Sequence, residues 1–177
     1  MIMNYELIRS DRKTLSLEIT KESKIIIRAP KKCTQKTIED FIRKNTDWIN
    51  RTLRKTEERR RIAEKYKIAD ADRAEYINKA KSYLPERLKY WSNLTGLVPS
   101  YVRITSAEKR YGSCNSKNGI CFSYRIIAYP EKAIDYVILH ELVHIKHKNH
   151  SKDFYKLIEK YMPDYKQQEK ILRHKGE

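Results

Sequence analysis

The sequence predicts an α+β protein in two parts, and three observations carry that prediction. Apolar and polar residues alternate through the first thirty positions, helical periodicity takes over from about Thr34, and a helix apolar nearly all round surrounds a cluster of histidines near position 140. The 177 residues suffice for one ordinary domain or two small ones. We divide them into a β-rich segment with a basic helix, 1–69, and a catalytic part with a short sheet, 70–177. With 40% hydrophobic residues, 35% charged residues and only 4 glycines, disordered, fibrous and linker-like chains are excluded.

Leu15, Leu17 and Ile19 alternate with Thr14, Ser16 and Glu18, and the β-branched run Ile25, Ile26, Ile27 is stopped by Pro30. This reads as a small meander of strands. Ile38, Phe41, Ile42, Trp48, Ile49 and Leu53 then recur at helical spacing, followed by a mostly charged stretch to about Lys67, so one amphipathic helix with a solvated extension is expected. A second helix begins near Asp70 or Asp72, whose charges suit a helix N-terminus. Pro85 is expected to kink or restart it and Gly96 to end it.

Residues 101–105 read as a strand and residues 119–124 as its hairpin partner, giving a short antiparallel sheet with Cys114 and Cys121 facing each other. Pro130 fits a first helical turn, and Ala133, Ile134, Val137, Ile138, Leu142, Val143 and Ile145 then build a helix that must be buried. Asp135 reads as a surface residue of its first turns. A helix from Ser151 to about Tyr161 and a polar one ending near His174 close the chain.

The net charge of +16 implies attraction to polyanions, and residues 24–67 hold 15 Lys or Arg against 6 acids. Arg51, Arg54, Lys55, Arg59, Arg60 and Arg61 are the candidate polyanion contacts. No apolar run approaches the roughly 18 residues of a membrane span, and the N-terminus lacks the apolar centre of a signal peptide, so a cytoplasmic protein without a membrane partner is expected. Cys33, Cys114 and Cys121 are odd in number without CxxC spacing, which excludes a disulfide framework or a four-thiolate zinc site.

The chemistry is carried by His140-Glu141-Leu142-Val143-His144, an HExxH motif on the buried helix. Residues four apart on a helix stand about 40° apart and one turn above each other, so both imidazoles can grip one metal ion. Glu141, rotated roughly 100° from His140, is placed to act on water as a general base. Catalytic zinc takes three protein ligands and leaves a position open. His150 is the leading third ligand, with Asn149 suited to the turn that returns it; His147, Glu159 and Asp153 compete.

The run Ile134 to Leu139 leading into HELVH, then NHSKDF at 149–154, DFIRKNTDWINRTL at 40–53, Tyr-Gly-Ser-Cys at 111–114 and GICFSYRI at 119–126 resembles the YgjP-like family of predicted zinc metallopeptidases, related to the SprT-like and WLM groups. The resemblance implies a β-rich N-terminal part, a helical middle and a zincin-like catalytic part, with His140, His144 and His150 as zinc ligands and Glu141 as acid and base. The family usually has Trp where this chain has Tyr111. The ligand spacing also matches the metzincin pattern, but the glycine expected there is His147, which argues against that assignment.

The expected function is a zinc-dependent hydrolase, foremost a metallopeptidase, with one zinc per chain and a peptide or protein substrate. Glu141 would take a proton from zinc-activated water and return it to the leaving amine. Arg110, Tyr111 and Tyr136 are candidates to stabilise the oxyanion, and the strand at 119–124 could pair with an extended peptide. Two other readings compete: a phosphoester or nucleotide hydrolase using the same metal water, and a basic nucleic-acid-binding module with structural zinc or none. SprT-like relatives act on protein attached to DNA, so a basic segment could also serve a peptidase as an address for its substrate.

Overall fold

The structure, a computed structural model, describes residues 4–172. The chain divides into two compact units, residues 1–62 and 63–177. In the first, the strands are β1 (Glu6–Ser10), β2 (Ser16–Ile19) and β3 (Ile25–Pro30). A strand with apolar residues on both faces belongs in the middle of a sheet, and β3, alternating buried with half-buried positions, takes that place. β1 pairs with it in parallel and β2 antiparallel, so the order is β1-β3-β2 and the expected meander is corrected.

The hydroxyl of Thr34 accepts from the Thr37 amide at 3.2 Å and caps α1 (Gln35–Lys44). Helix α2 covers Thr46–Lys65. The single helix that the periodicity predicts is thus broken at Asn45, whose side-chain amide donates to the Phe41 carbonyl at 2.8 Å and competes for the ladder's acceptor. Ile25, Ile27, Ala29, Ile38 and Ile49 form this unit's core. Trp48, expected in the apolar stripe, is 42% exposed instead, because Ile49 and Leu53 occupy the inner side of α2.

The second unit begins at Ala63, in the last turn of α2, and Tyr66 and Ile68 just beyond that helix pack against its core. A short 3-10 turn at Asp70–Asp72 leads into α3 (Arg73–Thr95), which runs unbroken through Pro85 and ends at Gly96, with φ 73°. Next come β4 (Tyr101–Thr105), β5 (Gly112–Cys114) and β6 (Gly119–Ser123), in the order β4-β6-β5. β4 runs parallel to β6, and β5 is the hairpin partner of β6. The expected antiparallel pairing of 101–105 with 119–124 is therefore wrong: the segment between them is long enough for a parallel crossover and folds a third strand of its own. Cys121 stands opposite Ser113 rather than Cys114, and all three cysteines are free.

Helix α4 (Glu131–Lys146) lies at the centre of this unit, buried along both sides from Ala133 to Leu139 and again from Glu141 to Val143. The hydroxyl of Ser151 accepts from the Phe154 amide at 3.3 Å and starts α5 (Lys152–Tyr161), and α6 (Tyr165–Leu172) follows. The predicted end of that last helix near His174 lies outside the described residues. Among the described residues the architecture is thus two three-stranded sheets and six α-helices, and none of the helices is long and apolar enough to cross a membrane.

Candidate metal centre

His140 and His144 stand one turn apart on α4, with their Nε2 atoms 3.2 Å apart. After Lys146 the chain leaves the helix at His147, in an extended conformation, and turns back so that His150 Nε2 comes within 3.0 Å of His140 Nε2. Asn149 makes this turn without adopting the left-handed conformation expected of it. Lys148 pins the segment by donating to Asn118 Oδ1 at 2.6 Å and to the Asn115 carbonyl at 3.1 Å, in the turn between β5 and β6. The ligand atoms of His140, His144 and His150 all lie within 4.8 Å of one another, a group able to hold a metal ion.

The donor set fits a tetrahedral cation. Three nitrogens at zinc-ligand distance from one ion stand about 3.3 Å apart, close to the 3.2 and 3.0 Å that separate His140 from His144 and from His150, and the whole set lies within 4.8 Å. Two of the rings, those of His140 and His144, are also held toward the neutral form that ligation needs. Burial, then the mutual repulsion of the cluster, pushes the His140 pKa down to about 3, and burial lowers that of His144. His144 Nδ1 lies 3.0 Å from the His147 carbonyl. Protonating Nδ1 for that bond leaves the Nε2 lone pair toward the other rings. His140 Nδ1 is buried without a hydrogen-bond partner among the described residues. Phe154, fully buried, packs against all three imidazoles with centroid separations of 4.6–4.9 Å and limits their rotation.

Glu141 is 6% exposed and makes no hydrogen bond or ion pair among the described residues. A structural carboxylate buried this deeply would ordinarily be paired. Burial raises its pKa to about 8, with Arg110 pulling in the opposite direction. The β5 backbone at Gly112 runs directly against its side chain.

The other predicted residues separate. Arg110 is exposed and within electrostatic reach of Glu141. Tyr111 is buried and donates its hydroxyl to that of Tyr129 at 2.5 Å. Tyr136 is buried edge-on against His140 and stacks on Tyr165. Arg51, Arg54, Lys55, Arg59, Arg60 and Arg61 are all exposed on α2, in the first unit. Arg60 and Arg61 pair with Glu57 and Glu58, whereas the other four have no carboxylate partner among the described residues. His147 contributes its carbonyl rather than its ring.

Two expectations are overturned. Asp135 is not a surface residue: it is 6% exposed and accepts from Arg87 Nε at 2.9 Å and Nη2 at 2.5 Å, tying α4 to α3. The strand within 119–124 cannot receive a peptide, because β6 is bonded on both sides, leaving β4 and β5 as the edges. Sequence reasoning also missed Gly112, Lys148 and Phe154 as parts of the site. The Tyr-Gly-Ser-Cys and NHSKDF stretches contained the signal for two of them.

A mixed α+β unit with three clustered histidines and an unpartnered buried carboxylate on one helix has the features of a metal-dependent hydrolase. The family described as YgjP-like, metallopeptidase domain, matches residues 13–77 and 66–175, and the chain belongs to it. Membership implies a divalent metal and a peptide or protein substrate. Among solved structures the chain is similar to the metallopeptidase zymogen abylysin of Pyrococcus abyssi, at 22% identity over 52% of this chain and 93% of that one, with a TM-score of 0.47. It is also similar to the zymogen jannalysin of Methanocaldococcus jannaschii, at 21% identity over 51% and 91% of the two chains, with a TM-score of 0.44. No curated protein matches.

Proposed function

We propose that the chain is a zincin-like zinc metallopeptidase in which His140, His144 and His150 hold one zinc ion and Glu141 transfers protons. The observation that carries this reading is the convergence of three imidazoles near a buried carboxylate that makes no hydrogen bond or ion pair among the described residues. A bound zinc ion supplies Lewis acidity, which acidifies water and polarises a carbonyl. Glu141 would take the proton of the attacking water and return it to the leaving amine. Arg110, exposed beside Glu141, faces the charge that develops on the substrate oxygen more readily than Tyr111, whose hydroxyl is given to Tyr129.

An extended substrate adds to the free edge of β5, next to Glu141, where backbone pairing aligns a peptide without demanding a particular sequence. Peptide pairing and the family favour amide over phosphoester hydrolysis. Digestion of a broad peptide library by the zinc-loaded protein tests the reading. Cleavage abolished by a chelator and restored by zinc is expected; a nucleotide or phosphodiester substrate turned over faster than any peptide would overturn it.

One observation favours an additional nucleic-acid partner. Trp48, Arg51, Lys55 and Arg59 are spaced three, four and four apart on α2, which keeps them within about 80° around the helix. An exposed indole beside cations without carboxylate partners offers stacking together with phosphate contacts. Because the chain has 2 tryptophans and Trp91 is only 6% exposed, quenching by a single-stranded oligonucleotide reports on Trp48. The expected quench weakens steeply with salt and with Arg51→Glu, Lys55→Glu and Arg59→Glu together. A salt-independent signal, or one unchanged in Trp48→Phe, excludes this partner.

A further inference from the structure

Tyr111-Gly112-Ser113-Cys114 is a motif that the three histidines leave unexplained. Its glycine does not serve a left-handed turn: among glycines, positive φ is found at Gly96. The need is for space. A methyl carbon at position 112 would lie 2.5 Å from Glu141 Oε1, 2.6 Å from its Cγ and 2.8 Å from its Cδ. All three atoms belong to one side chain, and no backbone atom is among them. An added methyl group would therefore press on the Glu141 side chain first and push its carboxylate from its place.

We infer that Gly112 is a positioning residue: its bare backbone, held in β5 by pairing with Phe122 of β6, is the wall that fixes where the Glu141 carboxylate stands. The inference rests on the proton-transfer role proposed for Glu141. It gives the Tyr-Gly-Ser-Cys stretch a purpose, since the strand that offers its free edge to substrate also sets the carboxylate beside it. The buried carboxylate has little room to recover its place, being 6% exposed. A misplacement of about 1 Å can cost on the order of a hundredfold in rate.

The test compares zinc-loaded wild type with Gly112→Ala and Glu141→Gln on one cleaved peptide. Gly112→Ala should keep one zinc per chain and a KM within about threefold, while kcat falls roughly 10- to 100-fold. If Gly112→Ala turns over like wild type while Glu141→Gln is dead, the positioning role is wrong and the proton-transfer reading survives. If Glu141→Gln remains active, the proton-transfer reading itself fails. Stability adds a readout independent of activity: Gly112→Ala should cost stability in the wild-type background and less in a Glu141→Ala background, because the three atoms nearest the added methyl all belong to that side chain. Equal costs in both backgrounds, or failure to fold in both, would overturn the inference.

Discussion

The two ends of α4 each bury an acid, and the two acids are treated differently. Asp135, toward α3, and Glu141, against β5, are each 6% exposed. Asp135 accepts two hydrogen bonds from Arg87, whose other neighbours are Glu131 at 3.7 Å and the ring of Tyr90 at 4.8 Å. Glu141 has the bare backbone of Gly112 against it and no hydrogen-bond donor among the described residues. An acid that only holds a fold together is paired, because leaving it unpaired wastes stability. An acid kept unpaired at the same depth fits the proton-transfer role proposed for it.

The contrast can be broken from either end. The largest effect is expected at the metal: His144→Ala should weaken zinc binding about a thousandfold or more, since two donors remain of three. Metal analysis after dialysis reads this, and full retention of zinc would reject the ligand set. At the other end of the helix, Arg87→Ala should cost about 3 kcal/mol in denaturant unfolding by stranding the Asp135 charge. The protein that stays folded should still bind zinc.

Dependence on pH sharpens the difference further. In the metal-free protein the Glu141 pKa is raised from 4.5 to about 8, so its contribution to stability is full below 4.5 and is lost as pH rises through 8. His140, lowered from 6.5 to about 3, acts in the opposite sense, contributing fully above 6.5 and losing that contribution as pH falls toward 3. Between pH 6.5 and 8 Glu141 therefore dominates this pair, with a fall approaching about 1.4 kcal/mol per pH unit. Glu141→Gln should flatten that slope, and denaturant midpoints at the two pH values measure it. The smallest effect is expected at Lys148→Met, which frees the segment carrying His150 from the β5–β6 turn and should weaken zinc binding about tenfold.

What was legible in the sequence was local. Helix α4, its burial, the HExxH spacing and the cap at Ser151 all follow from residues within a turn or two of one another. Asp135 was misread because its partner Arg87 lies 48 residues away on another helix, and one helical pattern does not reveal which charge a second helix will present. The strand orders failed for a similar reason: alternation identifies strands, whereas parallel pairing of β4 with β6 depends on a crossover whose path alternation does not encode. Trp48 shows the limit of periodicity from the other side, since a residue with the right spacing came to lie at the margin of the buried stripe. The return of His150 was readable as a requirement of zinc chemistry. The Lys148 clamp and the Phe154 wall that accomplish it were not.

The most direct test is the turnover of a cleaved peptide by zinc-loaded Glu141→Gln, a change of nearly equal volume that removes the proton acceptor and leaves the imidazoles alone. The account predicts one zinc per chain and a kcat lower by about 10²- to 10⁴-fold. A variant that holds its zinc and cleaves at the wild-type rate would contradict it.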